Sequence, residues 1–232
     1  MMFKILKRLK DHRFAGNSIP PVGGIDFGDL ARLKPLSEDW GQKRGGPIDR
    51  YYIENFLKEN NKDIKGVALE VRDDEYLKRF GADQVSRREI LDIDPQNRLA
   101  TIVADLAKAE HIPSHTYDCM ILTQTLQLIY DLQSAVGHVY RILKPGGVVL
   151  ITIPGISHFP HKTMRFWSFT ENSLRRLLEE EFSKDNIHIE THGNVWVASA
   201  FLYGMGLGEI KKEVCDYRDP DYQFLITARA VK

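Results

Sequence analysis

The stretch Arg141–Pro154 reads RILKPGGVVLITIP. Val136, Val139, Tyr140 and Leu143 share one helical stripe that runs out at Lys144, a Pro-Gly-Gly turn reverses the chain, and the β-branched run Val148–Ile153 follows. That run is apolar at nearly every position rather than at alternate ones, which suits a strand covered on both faces. Strands of this kind sit inside parallel sheets with helices packed on either side.

Outward from this unit the chain alternates helix and strand patterns. Upstream, Ile48–Asn60 carries Ile48, Tyr51, Tyr52, Phe56 and Leu57 at helical spacing. Gly66–Val71 (GVALEV) reads as a short buried strand and Glu75–Phe80 as a brief helix. Glu89–Asp94 (EILDID), Thr101–Ala104 (TIVA) and Tyr117–Thr123 (YDCMILT) are further strands, ahead of a helix over Ser134–Leu143. Downstream, Thr170 caps an amphipathic helix to about Phe182, Ile187–Thr191 is a strand, Val195–Gly204 a helix and Tyr222–Ala230 the last strand. The order predicts an α/β fold: a doubly wound, mostly parallel seven-stranded sheet with an antiparallel C-terminal hairpin. Tyr222–Ala230 is expected inside that hairpin, because Arg229 is its one charged residue.

The 232 residues fit one α/β domain with an extension. Lys+Arg and Asp+Glu both number 32, so no net charge draws the chain to nucleic acid, and none is expected as a partner. Cys119 and Cys215 are too few and too far apart for a disulfide framework, which points to a reducing cytoplasm. No apolar run approaches the roughly 20 residues a membrane span needs.

MMFKILKRLK, at residues 1–10, is too short and too broken by charge for a signal-peptide core. It reads as a helix packing on its own domain or a partner, or as a basic amphipathic helix in weak contact with a membrane surface. Gly16–Gly46 is loop-like, yet Phe27, Leu30, Leu33, Leu36 and Trp40 are too apolar for a free linker. Residues 1–46 are therefore expected to form an extension to the domain at 47–232. It would fold as a lid near His158–Trp167, or make a dimer contact.

Several segments around Arg141–Pro154 carry a resemblance. GVALEV ends in the acidic Glu70; LDIDP (Leu91–Pro95) and IVADL (Ile102–Leu106) each present aspartates at a strand end; YDCMILTQTLQLIYD (Tyr117–Asp131) is a strand with its turn; Trp167, Phe169 and Thr170 make a W-x-F-T pattern. In order and spacing these resemble the class I, Rossmann-like methyltransferases that use S-adenosylmethionine, in their small-molecule branch. The resemblance covers roughly residues 48–232 and implies S-adenosylmethionine as cofactor. It implies that Asp92 or Asp94 holds the ribose, the plain alternative being strand-end solvation or a turn with Pro95. Asp105 would meet the adenine amino group, or else cap a helix. Glu70, Val71, Arg72, Leu106, Thr123 and Gln124 complete the implied cofactor site at the carboxyl ends of the strands.

The family's E-x-G-x-G-x-G loop is absent. Val71, Arg72, Asp73, Asp74, Glu75 and Tyr76 follow Glu70, with no glycine before Gly81. The loop is expected to stand further from the ligand or to be shaped differently. Three acidic residues stand where the cofactor's cationic methionine portion would lie, and Arg72 is expected to pair with its carboxylate. PIDRYYI (Pro47–Ile53) and DPDYQ (Asp219–Gln223) are similar to a subgroup with such a loop.

GISHFPHKTMRFW, Gly155–Trp167, leaves the carboxyl edge of the sheet and is the expected acceptor-binding element. His158 and His161 are its candidate catalytic bases, the alternative being a solvated loop around a packed Trp167. Where many relatives carry a histidine after the fourth strand, Gln127 stands here and cannot act as a base. The two histidines straddle Pro160, and no metal site is expected. The expected function is methyl transfer to a hydroxyl, or an amine, of a small molecule or sugar. The alternative is a catalytically inactive protein of the same fold acting as a binding or scaffolding subunit.

Overall fold

The computed structural model describes residues 19–160 and 164–232. The expectations for MMFKILKRLK and for His161 lie outside the described residues. The chain divides into two compact units, Met1–Lys34 and Pro35–Lys232. The described part of the first holds one 3-10 turn, Gly28–Leu30, with the Asp26 carboxylate accepting from the Gly28 N–H at 2.9 Å.

The second unit is built on a seven-stranded sheet. Its strands are β1 (Gly66–Val71), β2 (Val85–Asp92), β3 (Ile102–Val103), β4 (Tyr117–Thr123), β5 (Leu143–Pro154), β6 (Ile187–His192) and β7 (Leu225–Val231), in the order β3-β2-β1-β4-β5-β7-β6. β1 to β5 pair in parallel, and β7 pairs antiparallel with both β5 and β6. The expected sheet and the interior place of the last strand are both present. Strand order reverses between β1 and β4, and the crevice at that switch point is where ligands enter such sheets.

Among the described residues, five helices cover the sheet: α1 (Asp49–Glu59), α2 (Leu132–Ile142), α3 (Glu171–Leu178), α4 (Val195–Leu202) and α5 (Lys212–Asp216). Val139 of α2 and Leu174 of α3 join Met120, Leu122 and Val149 in one core. Ile53 of α1 and Phe201 of α4 join Cys119, Ile121 and Leu150 in the other. Alternate residues of β4 thus face opposite cores, which is why its sequence is apolar without interruption.

Several boundaries differ from the sequence expectation. β2 starts at Val85 rather than Glu89, because Arg87 and Arg88 pair with β1 through their backbones while their side chains stay exposed. The brief helix after β1 ends in a π-turn, Leu77–Gly81. α2 stops at Ile142, where Leu143 turns extended (φ −67°, ψ 140°), so Lys144 belongs to β5 and pairs with Asp118 at 2.6 Å. In the turn that follows, Gly146 takes φ 78°, and a Cβ on Gly147 would lie 2.9 Å from two backbone oxygens. α3 ends at Leu178 rather than near Phe182, and Thr170 caps it by accepting from the Ser173 N–H at 3.2 Å. β7 begins only at Leu225.

Candidate active site

The site grows from the carboxyl ends of β1 and β4, the two central strands at the switch point. Each is followed at once by a non-glycine residue in the left-handed backbone region: Arg72 (φ 78°) after β1 and Gln124 (φ 50°) after β4. Such conformations are strained and persist only where surrounding structure holds them. Arg72 is held by its N–H donating to the Leu91 carbonyl at 2.9 Å and by its carbonyl accepting from Asn97 Nδ2 at 2.7 Å. Asn97 Nδ2 also donates to Asp92 Oδ2 at 2.6 Å, tying the ends of β1 and β2 together.

Glu70 turns inward. Its carboxylate accepts the backbone N–H groups of Tyr76 (3.2 Å) and Leu77 (2.8 Å), which folds the glycine-free loop back over its own strand. Burial pushes its pKa up to about 8. Of the three acidic residues that follow, Asp73 and Glu75 reach the crevice, whereas Asp74 turns away to Lys78 (2.7 Å) and Arg88 (3.3 Å).

A cavity of about 740 Å³ opens here. Glu70, Val71 and Arg72 wall it from β1, and Asp92 from β2. Asp105 and Leu106 enter after β3, and Thr123 and Gln124 at the end of β4. Among the expected cofactor residues, Asp94 is not on this wall: its carboxylate accepts from the Gln96 N–H at 2.9 Å, and its own N–H donates to Asp92 Oδ1 at 3.0 Å. Asp105 caps the turn Leu106–Lys108 with one oxygen, accepting from the Ala107 N–H at 3.0 Å.

A second cavity of about 440 Å³ adjoins the first and shares Asp49, Arg50, Arg72, Gln124 and Leu128 as walls. The loop after β5 contributes His158, and the segment Pro35–Gly46 contributes Trp40, whose ring stacks on His158 at 4.8 Å. Within this unit, the segment Pro35–Gly46 thus lies beside the loop after β5 at Trp40. Trp40 is itself left-handed (φ 57°). Of the five non-glycine residues with positive φ among the described residues, three (Trp40, Arg72 and Gln124) wall this cavity. Burial, then the nearby Arg165, hold the His158 pKa below the usual histidine value. Trp167 is 38% exposed, with its ring stacked on Tyr130 and its indole N–H donating to the Ile129 carbonyl at 2.8 Å.

Asp49, at the start of α1, is the residue that sequence reasoning missed. Its Oδ2 accepts from Gln124 Nε2 at 3.1 Å, and Gln124 Oε1 accepts from Gln127 Nε2 at 3.4 Å. Among the described residues, Asp49 Oδ1 and Gln127 Oε1 are buried without a partner, as is Arg165 Nη2. Burial raises the Asp49 pKa, against the opposing pull of Arg50. An acidic residue in the first turn of a helix is ordinary on dipole grounds, so the sequence held no signal to separate it from a solvated one.

A family model described as a methyltransferase domain matches residues 51–201. A stretch of 47 residues is 40% identical to the ubiquinone/menaquinone biosynthesis C-methyltransferase UbiE of Haemophilus ducreyi, covering 19% of this chain and only 18% of that protein. Among solved structures, a SAM-dependent methyltransferase from Archaeoglobus fulgidus superposes with a TM-score of 0.55 at 12% identity, covering 82% of this chain and 97% of that one. A SAM-dependent methyltransferase from Leishmania major gives a TM-score of 0.50 at 14% identity, covering 80% and 72%. At these identities the two likenesses bear on the fold.

Proposed function

The chain belongs to the methyltransferase-domain family, and from that premise we propose that it transfers a methyl group from S-adenosylmethionine to a hydroxyl, or an amine, of a small molecule or sugar. One observation carries this reading: two cavities of ligand size meet at a shared wall of Asp49, Arg72 and Gln124. One cavity suits the donor and the other the acceptor.

The residues of the larger cavity fit the cofactor. Its ribose hydroxyls need acceptors, and Asp92 offers a carboxylate already oriented by Asn97 and the Asp94 N–H. The adenine amino group needs one more, and Asp105 has an oxygen to spare beyond its cap. Arg72 suits the cofactor's carboxylate, and Asp73 and Glu75 suit its cationic portion. Where the resemblance implies a glycine turn after β1, Arg72 takes the left-handed backbone, at φ 78°. When bound, the cofactor supplies an electrophilic methyl group. The chain's own task is then to orient the acceptor and exclude water, and positioning alone is worth about 7–11 kcal/mol. Trp40 and His158 wall the acceptor side. His158 reaches only that cavity, whereas Asp49 reaches both.

Calorimetry with S-adenosylhomocysteine tests the reading. We expect a micromolar dissociation constant, about −8 kcal/mol. Well-folded protein that gives neither heat nor thermal shift at millimolar ligand would instead support the scaffolding reading. The observation that favours that second reading is the engagement of both Glu70 oxygens by the chain's own backbone.

A further inference from the structure

The smaller cavity describes its own ligand. Among the described residues, four buried side-chain polar atoms lack a hydrogen-bond partner. Three of them, Asp49 Oδ1, Gln127 Oε1 and Arg165 Nη2, belong to residues that wall this one cavity. Leaving such atoms unmet is costly, so a site that gathers three of them is shaped for a molecule that meets them. Two are acceptors and require hydrogen-bond donors. The third is a guanidinium donor and requires an acceptor.

Their arrangement gives the ligand a direction. Asp49 walls both cavities, while Arg165 and His158 wall only the smaller one. The carboxylate therefore stands on the cofactor side and the guanidinium away from it. Arg165 is held ready: its Nε donates to the Trp167 carbonyl at 3.1 Å and its guanidinium lies 4.2 Å from the Phe159 ring centroid. No carboxylate among the described residues pairs with it.

We propose that the acceptor is a small hydroxy anion, whose carboxylate or phosphate is taken by Arg165 and whose hydroxyl donates to Asp49 Oδ1, with Asp49 receiving the hydroxyl proton. This rests on the methyl-transfer reading. In the reaction the acceptor's O–H bond breaks and the proton goes to Asp49, which becomes a neutral carboxylic acid. The freed oxygen bonds to the methyl carbon. The carbon–sulfur bond breaks with its electron pair left on sulfur, so the sulfonium ends as a neutral thioether. Burial raises the basicity of Asp49, the direction this role requires.

The test uses the full chain saturated with S-adenosylhomocysteine, whose own binding is measured first. Calorimetry then compares 4-hydroxybenzoate with benzoate, and glycerol 3-phosphate with propyl phosphate, so that the two pairs distinguish a carboxylate from a phosphate. We expect the hydroxyl member of one pair to bind about tenfold more tightly than its partner, as for a hydrogen bond to a charged group. R165Q should weaken both members of that pair about tenfold or more, and D49A should erase the hydroxyl advantage. If D49A does not fold, the isosteric D49N carries the test: it should keep the affinity for the anion and, with S-adenosylmethionine supplied in place of the product, lose methyl transfer to it, read by mass spectrometry. The assignment is overturned if neither pair binds, if R165Q binds as the wild type does, or if the hydroxyl advantage survives D49A or transfer survives D49N. Failure of S-adenosylhomocysteine to bind is a separate result, which removes the methyl-transfer reading and this assignment with it.

Discussion

Arg72 adopts the left-handed backbone (φ 78°) that favours glycine. The strain of a left-handed non-glycine residue is of order 1–3 kcal/mol, partly offset by the greater chain entropy that glycine loses on folding. Arg72→Gly should therefore stabilise the protein by about 1 kcal/mol in urea unfolding, whereas Arg72→Ala should not. Both should weaken binding of S-adenosylhomocysteine through the lost guanidinium. Asp92 and Asp94 make a second comparison. Asp92→Ala should weaken cofactor binding by about 1.5–3 kcal/mol, as for a hydrogen bond involving a charged group. Asp94→Ala should leave binding within about twofold, because Asp94 is spent on its own turn. Equal losses of binding and stability in Asp92→Ala would mark that side chain as structural through Asn97. That Asp92 and Asp105 stand at strand ends was legible in the sequence, because such a position is local, and both line the larger cavity. Asp49 was not, since its role depends on Gln124 and Gln127, some 75 residues away along the chain. Glu70 was legible as a buried acid, but its partners prove to be the N–H groups of Tyr76 and Leu77.

Elements whose two faces are both buried announced themselves. β4 was read with both of its ends in place, because Cys119 to Leu122 face two cores in alternation. The start of β2 was hidden, because parallel pairing with β1 is made by backbone groups and Arg87 and Arg88 carry no trace of it in their side chains. α2 lost its last expected residue, Leu143, to β5, since Leu143 suits either element and the parallel pairing of Tyr117 with Leu143 decides between them. The segment Pro35–Gly46 offers an element-scale prediction. Trp40 stacks on His158, whose pKa is held down by burial and then by Arg165. Trp40→Ala should uncover the imidazole, so that NMR titration finds the His158 pKa moved back up toward the ordinary histidine value. Affinity for S-adenosylhomocysteine should change little, because Trp40 walls only the smaller cavity. An unmoved His158 titration would mean that other neighbours bury the ring and that this segment does not shield the acceptor side.

At the scale of the whole molecule, two buried ionisable groups give stability a shape in pH. Glu70, on β1, has its pKa raised from 4.5 to about 8, and His192, at the end of β6, has its pKa lowered from 6.5 to about 4, both chiefly through burial. Between pH 4.5 and 8 the folded protein keeps a proton on Glu70 that the unfolded chain has released, so stability falls as pH rises. Between pH 4 and 6.5 the unfolded chain binds a proton at His192 that the folded protein refuses, so stability rises as pH rises. Each slope approaches about 1.4 kcal/mol per pH unit. Where the windows overlap, pH 4.5 to 6.5, the two cancel. What remains is a loss of stability below pH 4.5 from His192 and another above pH 6.5 from Glu70. Urea unfolding of the ligand-free protein should therefore give a plateau near pH 5–6 and a decline toward pH 8. Glu70→Gln tests the assignment through the slope rather than the absolute stability, because the amide accepts only one of the two backbone N–H groups and destabilises equally at every pH. It should flatten the alkaline decline and open a rise from pH 4.5 to 6.5, where the His192 slope then stands unopposed. An alkaline decline as steep in Glu70→Gln as in the wild type would place the titrating group elsewhere.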